Sequence, residues 1–248
     1  MRCAAYGRGV FAATSRILLA ALALVWFSGR DAGADVLKFC MGCNFLGAQL
    51  ANENFDGVVY VGSNFQNAIL TNGSFRGAKF IAANFEGADL RGAVFDGAEC
   101  TACNFKGAKF DGASFAGARM TAANFSGFAA KLADAQLRAL LSGCVACDFQ
   151  KASLAGRDLS GLPLVSVDFS QADLRGTKFD GAALCWYAAD QTQRASKCDP
   201  MPGALVTGAS FVNVQLCTDP FEPKTCTPVT AAALRRDSGS TLDGAILP

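Results

Sequence analysis

The 248-residue chain contains no histidine. That absence excludes a Ser-His-Asp or Cys-His catalytic group, an imidazole metal ligand and an imidazole proton shuttle. Charge is scarce as well: Asp, Glu, Lys and Arg make up 17% of the chain, against roughly a quarter in an average globular protein. The balance of +1 gives no electrostatic reason to expect nucleic acid as a partner. With 51% apolar residues, the chain has enough material for a large core, which excludes wholesale disorder.

Long apolar runs are also few, and the clearest stands near the N-terminus. Arg2, Arg8 and Arg16 precede the run from Ile17 to Phe27, and Ala32, Gly33 and Ala34 follow it. Basic, apolar and small residues in that order read as a secretory signal peptide over 1–34, cleaved after Ala34. As helix the run spans about 16 Å, too little for a hydrocarbon layer of roughly 30 Å; an uncleaved anchor is the alternative. Cleavage removes four arginines and Asp31, leaving 18 basic and 20 acidic residues. It also removes Cys3, so the 11 cysteines become ten. An even count in an exported (periplasmic or secreted) chain favours disulfides.

What the remainder has is a period of five. From Cys40 to Phe125, positions divisible by five hold Phe, Leu, Tyr, Met or Cys. Two residues earlier stand mostly alanines; two residues later, the 18 positions hold 12 glycines, three asparagines and three alanines. Neither a helix nor a flat strand repeats every five residues. A large and a small apolar residue pointing inward, followed by Gly or Asn with φ > 0 at the third position of a type II turn, make each unit a short strand plus a corner.

The runs Ala88-Asp89-Leu90-Arg91-Gly92 and Ala172-Asp173-Leu174-Arg175-Gly176 resemble the pentapeptide repeat family, strongly over about 38–184 and weakly over 204–217 and 240–247. The resemblance implies an all-β fold, a right-handed four-sided parallel β-helix, and carries no single activity. The expected organisation after the signal segment is one solenoid domain over 35–248. It divides into a first block at 38–127, a helical insertion at 128–142, a second block at 143–187, a loop at 188–203 and irregular final coils at 204–217 and 240–247.

Four units per coil predict a period of 20. Phe45, Phe65, Phe85, Phe105 and Phe125 form one column, continued after the break by Phe149 and Phe169. Ahead of them stand Asn44, Asn64, Asn84, Asn104 and Asn124, which at a spacing of roughly 4.8 Å suit a structural amide ladder. Ala82, Ala102 and Ala122 all fall at one corner. Alanine is strained at φ > 0, so that corner is expected to use another turn type. Between Phe125 and Cys144 lie four residues beyond a regular course. Ala129 to Leu141 reads as an amphipathic helix crossing two sides of one coil, with a bulged regular continuation as the alternative. A short helix is expected at Thr230 to Arg236.

The cysteines pose the sharpest chemical question. Cys40/Cys43, Cys100/Cys103 and Cys144/Cys147 are C-x-x-C pairs, a spacing found in zinc sites. Cys40 and Cys100 are three coils apart, about 14 Å at strand spacing, too far to share an ion. A disulfide within each pair suits the first and fourth residues of a corner turn, whose Cα atoms lie within about 7 Å; it would also pin Ala102 and Ala146. Cys185 is paired with Cys198, and Cys217 with Cys226, one of three possible arrangements. Thiol–disulfide exchange needs an exposed low-pKa thiolate, commonly at a helix N-terminus, which inward-facing cysteines lack.

No metal, cofactor or catalytic constellation emerges, and the glycines follow the corner period rather than a phosphate loop. Phe39, Met41, Val59, Val61 and Ile81 form an outward apolar stripe, a partner site or a surface hidden under a capping segment; since solenoid ends need covers, cover is the expectation. The sequence reading is therefore a non-enzymatic exported scaffold or protein-interaction module, presenting rigid faces to a protein or cell-envelope component. Two alternatives accompany it: a topoisomerase-binding DNA mimic, as in some pentapeptide repeat proteins, which the signal segment and mild charge oppose; and a C-x-x-C thiol oxidoreductase.

Overall fold

The structure, a computed structural model, describes residues 38–165, 167–185, 204–217, 226–228, 230–231, 242 and 244–247. The expected signal segment, Cys198 with its loop, and most of the expected helix at Thr230 to Arg236 lie outside the described residues.

Each five-residue unit is a corner followed by a short extended side. At the corner after Phe65, Asn67 takes φ 55° and the Ala68 N–H closes the turn on the Phe65 carbonyl at 3.0 Å. The sides bond to the coils above and below: the Phe65 N–H donates to the Asn84 carbonyl at 2.6 Å, and the Asn64 N–H to the Cys43 carbonyl at 2.8 Å. Repetition winds the chain into a right-handed four-sided β-solenoid of about seven turns.

One side forms regular strands. β1 (Phe39–Met41), β2 (Val59–Val61), β3 (Lys79–Ile81), β4 (Glu99–Thr101), β5 (Arg119–Thr121) and β6 (Cys144–Val145) make a six-stranded sheet, parallel throughout, with central residues Cys40, Tyr60, Phe80, Cys100, Met120 and Cys144 in register. β7 (Pro163–Val165), β8 (Ala183–Cys185) and β9 (Gln215–Cys217) continue in parallel, and β10 (Cys226–Pro228) closes the second sheet antiparallel to β9. A reversed edge strand ending in proline, which lacks an N–H, blunts further strand addition.

The axis is filled by aromatic columns. Phe65, Phe85, Phe105 and Phe125 stack at centroid distances of 4.8–5.0 Å, and Phe75 and Phe95 stack at 4.7 Å on another side. Rings of the two columns meet edge to face, as Phe85 and Phe95 do at 85°. Stacked and edge-to-face contacts both suit the ring quadrupole, and burying each ring contributes roughly 1.5–3 kcal/mol. Phe45, at the N-terminal end of its column, is only partly buried.

Three sequence expectations change. Ala82, Ala102, Ala122 and Ala146 adopt φ of 51–55° like the glycines above them; so do Lys151 and Gln171, at 59° and 58°. Register imposes the corner whatever residue occupies it, because the backbone must keep its inter-coil bonds, such as Ala102 N–H to Thr121 carbonyl at 2.8 Å. Each such alanine costs about 1–2 kcal/mol.

The helix α1 runs Asp134–Ser142, not from Ala129, and occupies one side of a coil rather than two. Residues 129–133 stay out of the helix, and neighbouring coils hold the chain there: the Ser153 N–H donates to the carbonyl of the preceding Phe128 at 2.7 Å and the Lys131 N–H to Asp111 Oδ1 at 2.6 Å. Tertiary pairing here outweighs the helix propensity of alanine and leucine. Leu137, Leu140 and Leu141 face the core, and Arg157 ties the first turn through Asp134 at 3.0 Å. At Gly143 a Cβ would strike the Ala118 carbonyl, so only glycine lets the helix re-enter the sheet.

The 204–217 segment, expected to be irregular, forms a regular coil: Phe211 stacks on Phe179 at 5.2 Å with planes 6° apart. It arrives 32 residues after its partner rather than 20, so no fixed period reveals it.

Candidate functional site

The outward side chains of β1–β6 make a flat strip in two columns. One column reads Phe39, Val59, Lys79, Glu99 and Arg119; the other reads Met41, Val61, Ile81, Thr101, Thr121 and Val145. Phe39, Met41 and Ile81 are 56%, 67% and 47% exposed, and Val59 and Val61 are half-buried. Among the described residues nothing supplies the expected cover: helix α1 packs on the side built from the Phe115 column, so this stripe faces outward. Further along, Glu99 sits between Lys79, at 3.3 Å, and Arg119. Hydrogen bonds from Arg119 and then Lys79 hold its carboxyl below the usual range. An apolar half thus passes into a charge-compensated half on the same sheet.

The Cys pairs lie at the corner bordering this strip. Their Cα atoms are 5.9, 5.8 and 5.6 Å apart for Cys40/Cys43, Cys100/Cys103 and Cys144/Cys147, with the sulfurs at bonding distance. The second and third pairs are buried; the first, at the end of the solenoid, is half-exposed. Cys144 follows the C-terminal end of α1, where the helix dipole disfavours a thiolate. Cys217 and Cys226 stand opposite one another in the antiparallel β9–β10 register.

The asparagine column does a job its spacing did not reveal. Each side-chain oxygen of Asn44, Asn64, Asn84, Asn104 and Asn124 accepts the N–H two residues on, at 2.8–3.2 Å, steering the chain into the next corner. Amide-to-amide bonds join Asn64 to Asn44 at 3.3 Å and Asn104 to Asn84 at 3.1 Å. Asp148 and Asp168 continue the column, taking the N–H of Gln150 and Ser170 at 2.8 Å. Burial, and secondarily the stacked Asp168, raises the Asp148 pKa.

Several other carboxylates staple coils together: Asp56 Oδ1 accepts the Ser74 hydroxyl and the Arg76 N–H at 2.8 Å, and Asp96 and Asp180 repeat this with Ser114/Ala116 and Ser210/Val212. The signal was present as Asp-Gly followed by serine 18 residues later in the first two cases, but only stacked coils give that interval meaning.

Family models settle the lineage. The model described as Pentapeptide repeats (8 copies) matches residues 61–97 and 147–184, and Pentapeptide repeats (9 copies) matches 80–127. The chain belongs to the pentapeptide repeat family. Among solved pentapeptide repeat structures, full-length QnrB1, a plasmid-mediated fluoroquinolone resistance protein, is 19% identical over 84% of this chain and 80% of its own, with TM-score 0.29. HetL, involved in heterocyst differentiation regulation in the cyanobacterium Nostoc sp. strain PCC 7120, is 20% identical over 84% of each chain, with TM-score 0.28. A thylakoid-lumen pentapeptide repeat protein of Arabidopsis thaliana is 20% identical over 67% of this chain and 66% of its own, with TM-score 0.21. Scores this low carry no argument about function. No curated protein matches the chain.

Among the described residues, this pentapeptide repeat chain has no helix long and apolar enough to cross a membrane, and no group of three or more Cys, Asp or Glu side chains that could hold a metal ion.

Proposed function

We propose that this pentapeptide repeat protein is a non-catalytic interaction scaffold, exported through its N-terminal segment, that engages a partner protein or cell-envelope component through the apolar half of the β1–β6 strip. The observation that carries this reading is the contiguous exposure of Phe39, Met41 and Ile81 on a rigid sheet. Patches of this kind mark interaction sites, and a solenoid holds them without an ordering cost on binding. Exchange chemistry is disfavoured by the burial of Cys100, Cys103, Cys144 and Cys147. DNA mimicry receives no support from a surface where Asp89 pairs with Arg91, Asp173 with Arg175 and Glu99 with two cations.

A photo-crosslinking residue at Met41, compared with one at Lys106 on another side, tests the reading in cells producing the full chain. The expected result is a discrete adduct from position 41 alone, lost in an Ile81→Lys background. Equal labelling at both positions, or no adduct at 41, overturns it.

A further inference from the structure

The sequence contains a single Asn-Gly step, Asn72-Gly73, and it lies at a corner. In such a step the glycine nitrogen attacks the asparagine side-chain carbon, forming a five-membered succinimide and expelling the Nδ2 nitrogen as ammonia. Water then opens the ring at either carbonyl, giving aspartate or isoaspartate. The sum is one water consumed and one ammonia released, with no oxidant or reductant. Glycine favours this chemistry because no Cβ impedes the approach and its backbone is mobile.

In the folded coil both reacting groups are held. Gly73 is buried, and its N–H, the group that must lose its proton, donates to the Leu70 carbonyl at 3.0 Å. Its position in the unit is the inward small-residue slot filled mostly by alanine elsewhere. The Phe75 ring lies over that slot, 3.2 Å from where a Cβ would stand. Asn72 is fixed at φ 55°, with its N–H bonded to the Arg91 carbonyl at 2.8 Å and its Nδ2 to Asn52 Oδ1 at 3.3 Å. Its Oδ1 fills the space in which a Cβ on Gly92 would lie. Nucleophile, electrophile and leaving group are therefore each engaged with a different neighbour.

We propose that Asn72 is a conformation-gated deamidation site: protected while its coil is bonded to those on either side, exposed when the coil opens, and irreversible in its effect. Isoaspartate inserts an extra backbone carbon into a five-residue unit whose bonds to both neighbouring coils depend on register. A modified chain cannot restore the Asn72–Arg91 and Gly73–Leu70 bonds together. The step records each excursion from the folded rod and withdraws aged molecules from the folded pool.

The full chain is incubated at mildly alkaline pH, either native or unfolded in denaturant with its cysteines reduced, and Asn72 is followed by peptide mass spectrometry with isoaspartate detection. Conversion in the native protein is expected to be slower by about tenfold or more, because it must wait for local opening. Equal rates in the two states overturn the proposal, as does any other asparagine outpacing Asn72 in the unfolded chain. An Asn72→Gly variant, which places the commonest corner residue there, removes the conversion and keeps the melting temperature. Isoaspartate-bearing chains returned to native buffer are expected to melt earlier than unmodified chains treated identically; an unchanged melt overturns the irreversibility.

Discussion

Phe65 and Phe85 lie face to face, with centroids 4.8 Å apart and planes 4° apart, and neither ring has measurable exposure. Twenty residues of chain separate them, one full circuit of the rod. Because each ring touches the ring above, the ring below and rings edge-on from adjoining columns, a truncation cannot be filled by a neighbour without shifting a whole column. Phe85→Ala is expected to cost about 3–5 kcal/mol, read as a lower urea midpoint. Phe45→Ala, at the partly buried end of the column, is expected to cost clearly less; equal losses would contradict the column as the source of stability.

Ala122 sits at φ 51°, exposed and outside any Cys pair. Ala122→Gly relieves the left-handed strain and is expected to gain about 1 kcal/mol, visible as a raised melting temperature. A loss of stability would show that the corner is held by something other than backbone register.

Asp148 stands over Asp168 in a column otherwise begun by five asparagines. Its raised pKa means that the folded protein binds this proton more tightly than the unfolded chain, so ionisation at neutral pH works against folding. Asp148→Asn keeps the acceptor for Gln150 and removes the like-charge contact, for a gain of roughly 0.5 kcal/mol at pH 7. The gain is expected to shrink as pH falls through the raised pKa toward the ordinary Asp value near 3.9. A series of melts from pH 7 to pH 4 checks both the sign and the window.

Intact mass before and after reduction reads the export and cysteine assignments together. The exported protein is expected to start at Asp35 and to contain five disulfides, Cys185–Cys198 and Cys217–Cys226 among them. Under mild reductant, Cys40 and Cys43 are expected to become alkylatable first, since their pair alone among the three C-x-x-C units is half-exposed. Ten thiols reacting without reductant would remove the disulfide assignment.

The candidate strip shows how far sequence reading reaches. Phe39, Met41, Val59, Val61 and Ile81 are legible as outward residues because period five sets inward and outward positions along every unit. Whether anything lies over them is a question about a distant segment, which the period of five does not address. The asparagine side chains were likewise placed in one column by spacing alone, yet their bond to the N–H two residues on depends on corner geometry.

By itself the sequence determined the winding: a large apolar residue every five positions, a small one two places earlier, and a residue tolerant of φ > 0 two places later admit a four-sided coil and little else. Only the tertiary structure decided what happens where local preference and stacking disagree. It forced Ala102 and Ala146 into left-handed corners, kept residues 129–133 out of the helix, and seated Phe211 on Phe179 across an irregular interval. The reason is physical: each side of a coil bonds to two other coils, and those shared bonds outweigh the one or two kcal/mol by which any single residue prefers another conformation.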